Sequence, residues 1–210
     1  MITQILGNPD SKTVLVQMVD DHDLEVIESE YQHIRFLSKG KDFCLFTWKV
    51  NDWNNDLSPW RAPPVFGDTP FGDGASATLS SLLNEMPKDA ELYIGGYSLS
   101  GLFALWAAGN CSVFKGVAAV SPSVWFPGFI DYAKEHTPQT GSIYLSLGDK
   151  EEKTRNPVMA TVGTAIIQLQ GIFAGKEIPC VLEWNEGNHF RQPDVRMAKG
   201  FAWLLNRRQS

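Results

Sequence analysis

The sequence predicts an α/β fold: a mainly parallel sheet of about six strands with helices on both faces. Three observations predict it. Short runs rich in Val, Ile and aromatic residues recur without strict alternation, as strands covered on both sides do. Apolar stripes at three- and four-residue steps fill the gaps between those runs. The two signals alternate nearly throughout, which is the order a parallel sheet with crossover helices requires.

The strands are expected at Val14–Val19, Phe43–Trp48, Leu92–Ile94, Val117–Val120, Ile143–Leu147 and Cys180–Trp184. The first helical stripe is Leu24, Ile27, Tyr31 and Ile34, and the second Leu79, Leu82, Leu83 and Met86. A third follows at Leu102, Phe103 and Trp106, and a fourth at Val158, Val162, Ile166 and Leu169. The last runs through Val195, Ala198, Phe201, Ala202 and Leu205. Asn156 before Pro157 reads as an N-cap followed by proline at the first helical position. Gly109-Asn110 reads as a left-handed helix exit. One connection is long: from Asn51 to Gly74 the chain is rich in Pro, Gly and aromatics, including Trp53 and Trp60. Loops beyond about 12–15 residues tend to be functional or disordered, and two tryptophans argue for a packed wall near a site.

Composition narrows the class of protein. A chain of 210 residues suits one domain spanning 1–210, and such a domain buries about 70 % of its unfolded surface. With 43 % apolar and 20 % charged residues it is not a disordered chain. The 18 basic against 24 acidic residues, net −6, argue against a nucleic-acid partner. No apolar run reaches the length of a membrane span, and the first residues do not read as a signal peptide. Cys44, Cys111 and Cys180 are odd in number and far apart, which fits reduced thiols in a cytoplasmic protein. Asp52-x-Asn54-x-Asp56 imitates a calcium loop, but Leu57 and Pro63 occupy the positions that need Gly and Glu. With no zinc spacing and no glycine-rich phosphate loop, neither a metal nor a cofactor is expected.

The strongest chemical signal is Tyr93-Ile94-Gly95-Gly96-Tyr97-Ser98-Leu99-Ser100-Gly101. A strand runs into Gly96-x-Ser98-x-Ser100 and a helix follows at once, the pattern of a nucleophile elbow with small residues two positions either side. Such a turn raises the Ser98 hydroxyl at the sheet edge and aims the Leu99 amide at a developing oxyanion. The fifth position is Ser100 where the pattern usually has glycine.

A serine nucleophile needs a base. His33, among Glu28, Glu30 and Arg35, and His136, in Lys134-Glu135-His136-Thr137, read as residues of solvated faces. His22 follows the first predicted strand but precedes the elbow. His189 comes just past the last strand, at the carboxyl edge where open α/β sheets keep their sites. A carboxylate should orient the imidazole, and in chain order it falls between nucleophile and histidine. Gly148-Asp149-Lys150-Glu151-Glu152 ends a strand at that place, and three carboxylates compete there.

These residues resemble the α/β-hydrolase fold and, within it, the esterase family that includes esterase D and the enterobactin-type siderophore esterases. The resemblance spans nearly the whole chain. It rests on Gly96-Tyr97-Ser98-Leu99-Ser100-Gly101-Leu102-Phe103-Ala104, on Ala119-Val120-Ser121-Pro122-Ser123-Val124-Trp125, and on the Gly148-Asp149-Lys150-Glu151 and His189 turns. The Ser-Pro-Ser-x-Trp element discriminates best, because many hydrolases have an elbow and few have this. The resemblance implies Ser98 as nucleophile, His189 as base and a carboxylate of the Gly148 turn as acid. The Gly-x-x-acid spacing common in related hydrolases favours Glu151 over Asp149 and Glu152. The family's glycine-bearing turn after the first core strand reads Val19-Asp20-Asp21-His22 here. The second oxyanion amide is therefore expected at Asp21 or, one residue on, at His22. The leading strands look truncated, so the chain resembles a minimal version of the fold.

The expectation is a serine hydrolase of small carboxylic esters acting through an acyl-enzyme, with Trp53, Trp60 and Trp125 walling the substrate pocket. The competing reading is a catalytically silent hydrolase-fold protein that binds a ligand or partner.

Overall fold

A computed structural model describes residues 1–207. In these residues seven strands form one sheet: β1 (Ile2–Gly7), β2 (Thr13–Val19), β3 (Cys44–Lys49), β4 (Glu91–Tyr97), β5 (Phe114–Val120), β6 (Ile143–Gly148) and β7 (Cys180–Asn185). Their order is β1-β3-β2-β4-β5-β6-β7, and every pairing is parallel except β1 against β3. The six expected strands are all present, several of them longer than the apolar runs that announce them. The seventh, β1, is an addition to the expectation. It is an edge strand with four of its six residues exposed, so it carries no apolar run.

Among the described residues seven α-helices complete the layers: α1 (Asp21–Leu37), α2 (Trp53–Asp56), α3 (Ala75–Glu85), α4 (Leu99–Asn110), α5 (Phe129–Glu135), α6 (Val162–Gly175) and α7 (Pro193–Arg207). Strand residues alternate between two cores, as the two-residue period of a strand dictates. Val14, Val16 and Met18 of β2 join the core under α3, α4, α5 and α6, while Leu15 joins the core under α1 and α7. α4 is apolar all round, with Leu99 through Ala108 buried, as expected of a helix lying inside the molecule. No helix among the described residues is long and apolar enough to cross a membrane.

Three local expectations need correction. α4 runs through Gly109-Asn110 to an extended Cys111, with no left-handed exit. Gly109 instead makes room for Tyr132, whose hydroxyl lies 2.8 Å from where a Cβ would stand, and Asn110 Nδ2 donates to that hydroxyl and to Trp106 O. Asn156 does cap the next helical segment, accepting from Val158 N and Met159 N, but a 3-10 turn (Met159–Thr161) precedes α6. Glu30 does not lie on a solvated face: it is 2 % exposed and accepts from Gln17 Nε2 of β2 at 3.3 Å.

The long connection from β3 to α3 is structured. Asp52 caps α2 by accepting from Asn55 N, and Asp56 accepts from Asn51 N and Asp52 N, so the calcium-like acids serve local turns. An isolated bridge pairs Ala62 with Phe71, and Asn156 Nδ2 bonds Val65 O, which ties the loop to the start of α6.

Candidate active site

Ser98 stands where β4 turns into α4. Its backbone takes φ 59° and ψ −123°, a region that costs a residue with a side chain about 1–3 kcal/mol. The sheet and helix hold it there: Ser98 N donates to Val120 O of β5 at 3.1 Å, and Leu102 N donates to Ser98 O at 3.2 Å. The turn is so tight that a Cβ on Gly96 would lie 2.1 Å from Ser100 Oγ, and one on Gly101 2.8 Å from Gly96 O. Ser100 is fully buried and its hydroxyl donates to Met18 O of β2 at 2.9 Å. The departure from glycine thus adds a tie between the elbow and the neighbouring strand.

Ser98 occupies the N-cap position of α4, yet its hydroxyl makes no capping bond. It lies 3.4 Å from Ser123 Oγ of the Ser-Pro-Ser-x-Trp element. Leu99 is the first residue of α4, so its amide is one of the donors that a helix start leaves without an intrahelical partner. The positive end of the helix dipole adds to its pull on an anion.

His189 lies in the turn after β7 and Glu151 in the turn after β6. Glu151 Oε2 and His189 Nδ1 are 2.7 Å apart, with the side chains 4 % and 28 % exposed. With Nδ1 donating to the carboxylate, Nε2 is the acceptor of the neutral ring. No hydrogen bond joins His189 to Ser98 among the described residues. Both side chains border the same two cavities, and such contacts commonly close only when substrate is bound.

The three acids of the Gly148 turn separate clearly. Glu151 Oε1 accepts from Gly148 N (2.7 Å), Ser121 Oγ (2.7 Å) and Arg196 Nη1 (3.0 Å), which leaves Oε2 to the imidazole. Burial works against its charge, but the His189, Ser121 and Gly148 donors outweigh it and hold the carboxyl below its ordinary range. Asp149 Oδ1 accepts from Gly187 N at 2.7 Å, joining the two turns. Glu152 is exposed.

Two cavities meet at Ser98 and His189. The larger, about 350 Å³, is walled by Phe66, Trp125, Met159, Val162 and Phe190. The smaller, about 250 Å³, is bordered by Asp20, His22, Asp23, Trp53, Tyr97 and Pro193. Trp125 and Trp53 therefore border one cavity each. Trp60 borders neither: its indole donates to Pro127 O at 2.9 Å and packs against Phe126 and Tyr132, behind the wall. The long loop reaches the larger cavity through Phe66, whose ring meets Phe71 and Trp125. Asp21 opens α1 and turns its exposed carboxylate to Lys49 Nζ at 2.5 Å, while its neighbours Asp20, His22 and Asp23 border the smaller cavity. His33 accompanies Ser29 on α1 and His136 stacks on Tyr132, both away from the site.

Sequence reasoning missed Arg196 and Tyr97. Arg196 is 2 % exposed and Tyr97 OH donates to His189 O at 2.7 Å. The Ser-Pro-Ser-x-Trp element was the available signal for two further residues, since it supplies Ser121 to Glu151 and Ser123 to Ser98.

The strand order, the elbow at the carboxyl end of β4 and the helices on both faces define an α/β-hydrolase fold. No family model and no curated protein sequence matches the chain. Solved structures do. The siderophore hydrolase EstA from Aspergillus nidulans aligns over 95 % of this chain and 85 % of its own, with TM-score 0.69 and 19 % identity. An IroE-like serine hydrolase from Shewanella oneidensis aligns over 96 % of this chain and 74 % of its own, with TM-score 0.74 and 14 % identity. Esterase PE8 covers 97 % of both chains, with TM-score 0.59 and 18 % identity. At these identities the likeness is one of fold, shared here with a siderophore hydrolase, a serine hydrolase and an esterase.

Proposed function

We propose that the chain is a serine esterase acting on small carboxylic esters through an acyl-enzyme. The observation that carries this reading is the 2.7 Å Glu151–His189 pair bordering the same cavity as a serine on a strained elbow. Siderophore hydrolases and other esterases on the same fold support it.

In the reaction, Ser98 Oγ attacks the acyl carbon while His189 Nε2 takes the hydroxyl proton. Glu151 holds the ring by Nδ1 and stabilises the imidazolium that forms. The Leu99 amide and a second amide in the first turn of α1, at Asp21 or His22, receive the oxyanion. The imidazolium returns its proton to the departing alcohol. Water, activated by the same ring, then attacks the acyl-enzyme and releases the acid.

The larger cavity would take the apolar or aromatic group of the ester. At about 350 Å³ it lies near the bottom of the range of about 300–1,000 Å³ usual for ligand pockets, which favours compact groups over long chains.

Intact mass after incubation with a fluorophosphonate tests the reading. One adduct on the native chain and none on Ser98→Ala is the expected result. An unlabelled native chain that turns over no nitrophenyl ester would place it among silent binding proteins instead.

A further inference from the structure

We propose that Arg196 is the positioning residue of the site, setting the acid and the base with one guanidinium. The proposal rests on the serine-esterase reading above.

Arg196 enters from the first turn of α7, on the opposite side of the sheet from α4. Its side chain is 3 % exposed. Nη1 lies 3.0 Å from Glu151 Oε1, 3.1 Å from Tyr97 OH and 3.3 Å from Ser121 Oγ. Nη2 donates to Glu186 O and Asn188 O, both at 3.1 Å. Each of these partners touches the reacting residues directly or along the chain. Tyr97 precedes the nucleophile, Ser121 donates to the acid, and Glu186 and Asn188 lie in the turn that presents His189.

One planar group therefore pins four strand ends at once, those of β4, β5, β6 and β7. A fork of fixed geometry suits this task, whereas an ammonium on a flexible stem has only three donors to spread over the same acceptors. The effect on the acid is specific. With Arg196, Ser121 and Gly148 on Oε1, the carboxylate cannot turn without breaking three bonds, so Oε2 stays on Nδ1. The effect on the base runs through the backbone. Nη2 holds the carbonyl just before His189, and Tyr97, itself bonded to Nη1, holds the carbonyl of His189.

The test is turnover per active site. Arg196→Lys and Arg196→Ala are titrated with a fluorophosphonate to count competent serines, and kcat and KM are then referred to that count. A drop in kcat per titrated site of about 10–100-fold with KM little changed is expected, of the size a misplaced catalytic group produces. The Lys variant should retain more than the Ala variant. If kcat per titrated site stays at the native level, Arg196 only stabilises the fold and the proposal is overturned. Should Arg196→Ala not fold, the milder Lys variant decides by the same criterion. A native chain that is neither labelled nor active fails the esterase reading itself, before any Arg196 variant is made.

Discussion

The phenol of Tyr97 donates to the carbonyl of His189 over 2.7 Å, so the residue before the candidate nucleophile carries the turn of the candidate base. Burial pushes the Tyr97 hydroxyl above its ordinary range, which keeps it a proton donor throughout neutral pH. Tyr97→Phe should lower kcat about tenfold and stability by about 1–2 kcal/mol, the cost of an unmade buried hydrogen bond. Steady-state kinetics and urea denaturation check both figures.

The acid can be assigned by three single changes. Glu151→Gln should reduce kcat by about 10³–10⁴, because the amide can favour the wrong imidazole tautomer. Asp149→Asn should cost little, since an amide oxygen can still accept from Gly187 N. Glu152→Gln, on an exposed carboxylate, should leave kcat within about twofold, as surface changes do. Equal small losses in all three would indicate a Ser–His dyad.

The tryptophans should divide by role. Trp125→Ala removes a wall of the larger cavity and should raise KM about tenfold for aromatic esters, the equivalent of about 1.4 kcal/mol. Trp60→Ala should leave KM nearly unchanged but lower stability by about 2–3 kcal/mol, because its ring packs behind the wall. Kinetics and thermal melts on the two variants separate the effects.

Two buried glutamates should give opposite slopes of stability with pH. Glu30 is pushed well above its ordinary value of 4.5 by burial, against the hydrogen bond from Gln17. The folded state then keeps a proton that the unfolded chain has lost, so stability falls as pH climbs from about 4.5 toward the folded value. Glu151, held low, contributes stability that is present above its ordinary value and lost as pH falls through its lower folded one. Glu30→Gln should therefore be more stable than the native chain at pH 8 and flatten the descending slope. Denaturant midpoints between pH 4 and pH 8 check the sign.

The sheet was legible because β2 and its parallel neighbours are covered on both sides and must be written in apolar runs. β1 was not, since an exposed edge strand such as Ile2–Gly7 needs only backbone pairing with β3. The tight turn at Ser98 was readable from the steric demand of the elbow, and the place of His189 on the same cavity from its position after the last strand. Arg196 was hidden for a physical reason. A charged residue early in an amphipathic helix reads as surface, and only the three-dimensional arrival of Glu151, Tyr97 and two carbonyls makes its burial tolerable. Trp60 illustrates the converse: size and aromaticity announce burial, but not on which side of a wall.

β4, which leads to Ser98, lies fourth in the order of the seven strands among the described residues, whereas β7, which leads to His189, is an edge. Openings that cost least begin at margins. Amides of β4 should therefore exchange with deuterium only through global unfolding, while those of β7 exchange earlier. Catalytic competence should consequently vanish at a lower urea concentration than the far-ultraviolet dichroism. The candidate site is then a more sensitive gauge of marginal fraying than the sheet that carries it.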